Sequence, residues 1–481
     1  MKRLSLPILC CLLLMQVSCA TDDGVSLFDG QTMDGWEASE NQDSWRIEDG
    51  ALVTSGARSH LFYAGDVQGH DFKNFELTAD VKTTAGSNSG IFFHTRFQDT
   101  GWPEQGYEAQ VINSVIVGPP GSYVERKMTG SLYGVRNVWK APAQDEVWFN
   151  YRVVVEGKTI RTYVDGELMV DYTEPDTPFR PEGMAGRLLS SGTFALQAHD
   201  PASVVAYKNI RVRSLPDDTP TPGVPPEDPA FEARLLALSA QNFPQVDLHF
   251  HLKEGLTMAQ GLAQARRYGY TYGVAVNGGL KMGFETDEAL REYLDAYVQP
   301  PETYMALQAE GREWLDLFEP ETVARFDYVF TDAMTWTNDN GTRMRLWIEE
   351  ETEVGDPQDF MEQLVDRIET IVSTEPIDVY VNPTFLPDEI NGRYDELWTE
   401  ARMDRVIKAL VDAGVAMEIN NRREIPSEAF IKRAKAGGVK FTLGTNNAGP
   451  DDMGRMEYGI AMVEACGLTA DDMWMPGRSA R

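Results

Sequence analysis

Basic side chains are in short supply. The chain has 43 Lys and Arg against 75 Asp and Glu, a formal net charge of −32. Nucleic acids and anionic lipid surfaces are bound through basic patches, so neither is an expected partner. Cysteine is nearly missing as well, with 4 in 481 residues. Cys10 and Cys11 lie within an amino-terminal apolar run and Cys19 just beyond it, which leaves Cys466 alone. That excludes a disulfide framework, even in a compartment that would permit one. After the first run, no apolar stretch reaches the length needed to span a bilayer. Histidine is confined to His60, His70, His94, His199, His249 and His251. What is present is ordinary for a globular protein: 42% hydrophobic residues, enough for a packed core. The length suits two or three domains.

The first residues read as an export signal. Met1-Lys2-Arg3 is a basic start, and Leu4 to Val17 is apolar but too short for a permanent span. Ser18-Cys19 follows, which resembles a bacterial lipoprotein signal, whose cysteine becomes the lipidated terminus. Residues 1–19 are therefore expected to be a lipoprotein signal peptide. The exported protein would be a cell-envelope lipoprotein, periplasmic or outer-membrane anchored, touching membrane only through a lipid at Cys19.

Residues 24–215 read as all-β. Phe75 to Lys82 alternates apolar and polar, and Tyr151–Glu156, Thr159–Val164 and Glu167–Tyr172 form a meander with a turn at Asp165-Gly166. Alternation also assigns faces. In Ser89 to Phe97, Phe92, His94 and Arg96 share one side. In Tyr107 to Val111, Glu108 and Gln110 do, and in Thr193 to Asp200, Gln197 and His199 do. A plain solvent face carries Lys, Glu, Thr and Ser, whereas these positions carry His, Arg, Glu and Gln. They predict one concave binding or catalytic face.

Several motifs in this half occur in a familiar order. They are Leu27-Phe28-Asp29-Gly30, Asn88-Ser89-Gly90-Ile91-Phe92-Phe93, Tyr107-Glu108-Ala109-Gln110, Thr129-Gly130-Ser131-Leu132-Tyr133-Gly134, Trp148 to Val153, and Leu196-Gln197-Ala198-His199-Asp200. Together they resemble the 3-keto-disaccharide hydrolase family, formerly a domain of unknown function. The resemblance implies a concanavalin-like jelly-roll sandwich and cleavage of glycosides whose sugar is oxidised at carbon 3. Such oxidation acidifies the hydrogen on carbon 2, so a base and an acid are required. His199 and Glu108 are the implied pair, or ligands of an assisting divalent metal, with Arg96 or His94 holding the enolate oxygen. Asn88, Gln110, Gln197 and Tyr133 would bind sugar hydroxyls, and Trp102, Trp139 or Trp148 would stack on a ring. No nucleotide cofactor is expected. The alternative is a non-catalytic glycan-binding module attached to a separate hydrolase-like barrel.

Proline crowds Ser214 to Asp228, which predicts a stiff spacer at 216–230. From 231 to 481 short apolar strands alternate with amphipathic helices, the pattern of a distorted, roughly seven-stranded TIM-like α/β barrel. Such barrels keep their sites at the carboxyl ends of the strands. Those ends carry His249, His251, Asn277, Glu310, Asp332, Asn382, Asn420 and Asn446. Asp247-Leu-His249-Phe-His251 resembles the first motif of the PHP metal-dependent hydrolases, in degenerate form because later histidines have no counterpart. The expected site is His249, His251, Glu310 and Asp332 around at most one divalent metal, with the asparagines binding a polyol.

Overall fold

The computed structural model describes residues 24–116 and 122–477. The expected signal and its Cys19 lie outside the described residues. Among those described, no helix is long and apolar enough to cross a membrane.

The alternating stretches build two antiparallel sheets, a jelly-roll sandwich. One runs in the order Glu167–Thr173, Thr159–Val164, Phe149–Glu156, Asn74–Thr83, Val205–Leu215, Ala51–Thr54 and Trp45–Glu48, with Val25–Ser26 paired to Val205–Leu215. The other runs Trp36–Ala38, Ser59–Tyr63, Thr193–Ala198, Ser89–Thr95 and Tyr107–Val111. Apolar residues of both sheets, among them Phe75, Val81, Ile91, Phe93, Leu196 and Tyr207, meet in a closed core. In an ordinary sandwich the outer face of each sheet is wet. Here Ser89–Thr95, Tyr107–Val111 and Thr193–Ala198 are buried at every residue, so both of their faces are covered.

Seven parallel strands form the second domain in chain order: Val246–Phe250, Thr271–Gly279, Tyr304–Glu310, Tyr328–Thr331, Val379–Tyr380, Ala416–Asn420 and Phe441–Gly444. The barrel is nearly closed, because the ends of the first and last strands are tied. Asn446 N donates to His249 O at 2.8 Å, and Thr445 Oγ1 donates to Asp247 Oδ2 at 2.6 Å. Side-chain caps start the surrounding helices where the sequence supplies them. Thr257 caps Met258–Tyr268, Asp356 caps Pro357–Thr374, and Ser427 caps Glu428–Gly437.

The proline-rich segment is not a free spacer. Pro216 O accepts from Asn74 Nδ2 at 2.9 Å, Thr221 Oγ1 from Lys158 N at 3.0 Å, and Pro225 O from Arg267 Nη2 at 2.7 Å. Proline lacks an N–H, but its carbonyl remains a good acceptor, so the segment lies fastened to the sandwich at Asn74 and Lys158 and to a barrel helix at Arg267. The domains themselves exchange core residues. Trp139, from a sandwich loop, sits 1% exposed among Val246, Leu248, Ala306, Tyr328 and Phe330, inside the amino end of the barrel. Its Nε1 donates to Gly269 O at 3.0 Å. In return Leu236, on the first helix after the linker, joins the sandwich core. Between them Arg136 Nη2 and Glu232 Oε1 form a buried ion pair at 2.7 Å. The sandwich therefore docks on the amino-terminal rim of the barrel.

Candidate functional site

The covered face of the five-stranded sheet opens into a cavity of about 340 Å³, lined by Asn88, Phe92, Trp102, Glu108, Gln110, Tyr123, Glu125, Tyr133, Arg187, Gln197 and His199. Register explains the convergence. Phe92 stands opposite Glu108, Gly90 opposite Gln110, and Ala195 opposite Phe92, so alternate residues of three strands share this side. Glycine at position 90 leaves room for Glu108, since a Cβ there would lie 2.6 Å from Glu108 Oε1.

Glu108 is the centre of the cavity. Gln197 Nε2 donates to its Oε1 at 3.2 Å, and Gln110 lies within 3.3 Å of the same oxygen. Arg187 Nη2 stands 3.6 Å from Oε2. Burial pushes the Glu108 carboxyl up to about 7, with Glu125 adding to the rise and Arg187 and Lys127 opposing it. A carboxylic acid that stays protonated near neutrality can donate as well as accept.

Glu125 forms the second wall. Its Oε1 accepts from Lys127 Nζ at 3.0 Å, and its Oε2 accepts from Tyr123 OH at 2.7 Å and Tyr133 OH at 3.0 Å. Those contacts hold its carboxyl below the usual range in spite of burial. At the mouth, His199 Nδ1 lies 2.7 Å from Asp200 Oδ2. Asp200 is itself fixed by Ala202 N at 2.8 Å and Ser203 Oγ at 2.9 Å. A histidine held at Nδ1 by a carboxylate leaves Nε2 free as an acceptor. Trp102 covers the His199 ring at 5.2 Å between centroids and is 43% exposed.

Two expected members are elsewhere. Between Phe92 and Thr95 the pairing with Thr193–Ala198 slips by one residue, and His94 adopts φ 55°. This bulge ends the alternation. His94 Nε2 contacts Lys73 O at 2.9 Å, its Nδ1 accepts from Ser190 N at 3.3 Å, and its ring packs edge-on against Phe75. Arg96 lies past the strand end, exposed. Trp139 is the barrel plug, and Trp148 packs beneath Lys82 and Lys208. Arg187 stands where Arg96 was expected. It comes from the irregular stretch after Glu167–Thr173, which has no periodicity to betray a face. Gly186 lets that stretch approach, because a Cβ there would collide with Glu104 O at 1.8 Å. His60 was also missed. It is the register partner of Gln197, fully buried, with no hydrogen-bond partner at either nitrogen, and burial and Arg58 push it down to about 3.

At the carboxyl rim of the barrel the expected residues do lie together, but in a network of their own. His249 Nδ1 meets Glu418 Oε1 at 2.6 Å, and its Nε2 lies 3.3 Å from Gln308 Oε1. Glu310 Oε1 accepts from Gln308 at 2.9 Å and Asn277 at 3.1 Å. Asp332 Oδ2 accepts from Asn382 at 2.8 Å, while Asn420 and Asn446 both donate to Asn382 Oδ1. Burial, together with Asp332 nearby, raises Glu310. His251 Nε2 has no hydrogen-bond partner. Among the described residues, no three His, Cys, Asp or Glu side chains stand as a metal-binding group. His249 is thus held by Glu418 and Gln308, His251 Nδ1 by Ala275 O, Glu310 by Gln308 and Asn277, and Asp332 by Asn382. Gln308 and Glu418, neither of them singled out in the sequence, supply much of the holding.

Fold and cavity define the amino-terminal half as a jelly-roll domain with a recessed acid–amide–arginine pocket. Residues 23–213 match the family model of the 3-keto-alpha-glucoside-1,2-lyase-like domain. The chain is also similar to a 3-keto-disaccharide hydrolase of Bacteroides thetaiotaomicron, 35% identical over 86 residues, or 16% of this chain and 30% of that relative's length. Among solved structures, it is similar to a putative glycosyl hydrolase of Parabacteroides distasonis, with 22% identity, TM-score 0.35, and coverage of 40% of this chain and 95% of the other. It is also similar to a histidinol phosphate phosphatase of Lactococcus lactis, with 12% identity, TM-score 0.35, and coverage of 47% and 95%.

Proposed function

We propose that the jelly-roll pocket cleaves the glycosidic bond of 3-keto-glycosides by elimination. The observation that carries this is Glu108, buried and pushed up to about 7 in a cavity shared with Arg187, Gln197 and His199. A module that only binds sugar has no need of an acid tuned to neutrality. In the proposed reaction His199, oriented by Asp200, takes the proton from carbon 2 at Nε2. The enolate forms on the carbon-3 oxygen, where Arg187 offsets its charge. The electron pair then expels the group on carbon 1. The glycosidic oxygen takes its proton from Glu108, and the C1–O bond breaks. Asn88, Gln110, Gln197 and Tyr133, which line the cavity, would bind hydroxyls, and Trp102 would cover a ring face. Addition of water to the resulting double bond would complete a net hydrolysis. The test is the full chain with a 3-keto-glucoside in deuterated water. Release of the aglycone is expected, with deuterium at carbon 2 of the sugar product once water has added to the double bond. No release, with or without added divalent cation, would overturn the assignment.

The proposal extends to location. Basic start, apolar core and Ser18-Cys19 fall in the order of a lipoprotein signal. Cys19→Ser is expected to move the protein from the membrane fraction to the soluble exported fraction. A variant that still pellets with membranes would remove the lipid anchor from this picture.

A further inference from the structure

A single carboxamide on the barrel side reaches the wall of the sandwich pocket. Asn242 follows the helix Pro229–Ala240 and is 4% exposed, with φ 62°, a conformation asparagine tolerates better than most residues. Its Nδ2 donates to Val124 O at 2.6 Å, and its Oδ1 accepts from Arg126 N at 3.0 Å. Those two backbone groups flank Glu125. We propose that Asn242 is a positioning residue for the jelly-roll pocket, gripping the backbone on both sides of Glu125 and so fixing that carboxylate against the reacting site. The inference rests on the pocket being the site of chemistry.

Glu125 belongs to a loop without regular structure, and such a segment needs external partners to hold its backbone groups. Within the loop, Arg126 N also donates to Glu125 Oε1 at 2.9 Å, so the same N–H is shared between the carboxylate and Asn242. Arg126 Nη2 adds a tether to Asp471 at 2.7 Å. Without the grip, Glu125 keeps Lys127 and the two tyrosines but loses its fixed distance from Glu108. The groups facing Glu108 are then Arg187, Gln197, Gln110 and Lys127, with Glu125 free to drift. Loop position is thereby set from a domain that contributes no lining residue to the cavity. Asn242 bonds the backbone on either side of Glu125, so its effect would pass through the backbone of the loop.

Asn242→Gly keeps the backbone conformation and removes the amide. Lys140→Met cuts a different contact of the same interface, that of Lys140 Nζ with Thr303 O. The expected result for Asn242→Gly is amide exchange about tenfold faster at Arg126 and Lys127, in line with losing ordinary hydrogen bonds. Its kcat on a 3-keto-glucoside should fall about tenfold with KM unchanged, while Lys140→Met alters neither reading. Unchanged exchange at Arg126 and Lys127 would overturn the proposal. So would an equal slowing of turnover in both variants, which would mean general loosening of the interface. If the wild type fails to cleave any 3-keto-glucoside, the functional assignment falls, and exchange alone still decides whether Asn242 holds the loop.

Discussion

Replacing Glu108 with glutamine is expected to lower kcat about 1,000-fold, within the range typical of losing a general acid or base. The substitution keeps the shape of the side chain and its contact with Gln197, yet removes the transferable proton. It should also stabilise the protein at alkaline pH. The folded Glu108 carboxyl titrates at about 7, above its ordinary 4.5. The native state therefore holds this proton more tightly than the unfolded chain. The stabilisation is fully present below about 4.5 and is lost as pH rises through about 7, because the charge then forms in a buried site. Glutamine carries no charge at any of these values. Thermal melts of the two proteins at pH 5 and pH 8 should show the wild type losing more stability between them. Equal pH dependence, or kcat within about threefold of wild type, would remove Glu108 from the reaction.

Arg187→Met is expected to reduce kcat by about 100- to 1,000-fold, the usual effect of deleting one donor to a developing oxyanion. Methionine retains much of the apolar stem that lies over Phe92, so packing is largely preserved. The guanidinium centre is 5.3 Å from the Phe92 ring and its Nη2 3.6 Å from Glu108. A second reading separates charge from packing. Arg187 lowers the Glu108 carboxyl, so its removal lets that carboxyl climb further. Activity that depends on protonated Glu108 falls as pH rises, and this alkaline limb should move to higher pH in the variant. A pH–rate profile with an unmoved limb would show that Arg187 does not face the reacting acid.

The sandwich was legible because alternation over Phe75 to Lys82, Tyr107 to Val111 and Thr193 to Ala198 survives into the strands. Faces read that way brought Glu108, Gln110, Gln197 and His199 into one cavity. The same reasoning misplaced His94 and Arg96, since a bulge shifts phase by one residue and leaves no mark in an apolar–polar pattern. Arg187, Glu125 and Lys127 sit on irregular loops, where no period exists to assign a side. Of the barrel, the seven short strands and their polar carboxyl ends were readable from position alone. What each polar group bonds was not, because Glu418 and Gln308 lie far along the chain from His249. Interdomain packing was invisible too. Trp139 looks like a surface aromatic until its barrel is present.

That plug has a consequence for biosynthesis. Trp139 leaves the ribosome long before the strands Tyr328–Thr331 and Val379–Tyr380 that will enclose it. At ordinary elongation speeds of about 5–20 residues per second, the gap amounts to roughly 10 seconds or more. For the first half of that interval the Arg136 guanidinium lacks Glu232 and the sandwich lacks Leu236, and the Trp139 indole waits for its last partners throughout. Neither half can reach its final core alone. The nascent chain is sticky around Trp139, and a folding helper that shields this region is expected to raise the yield.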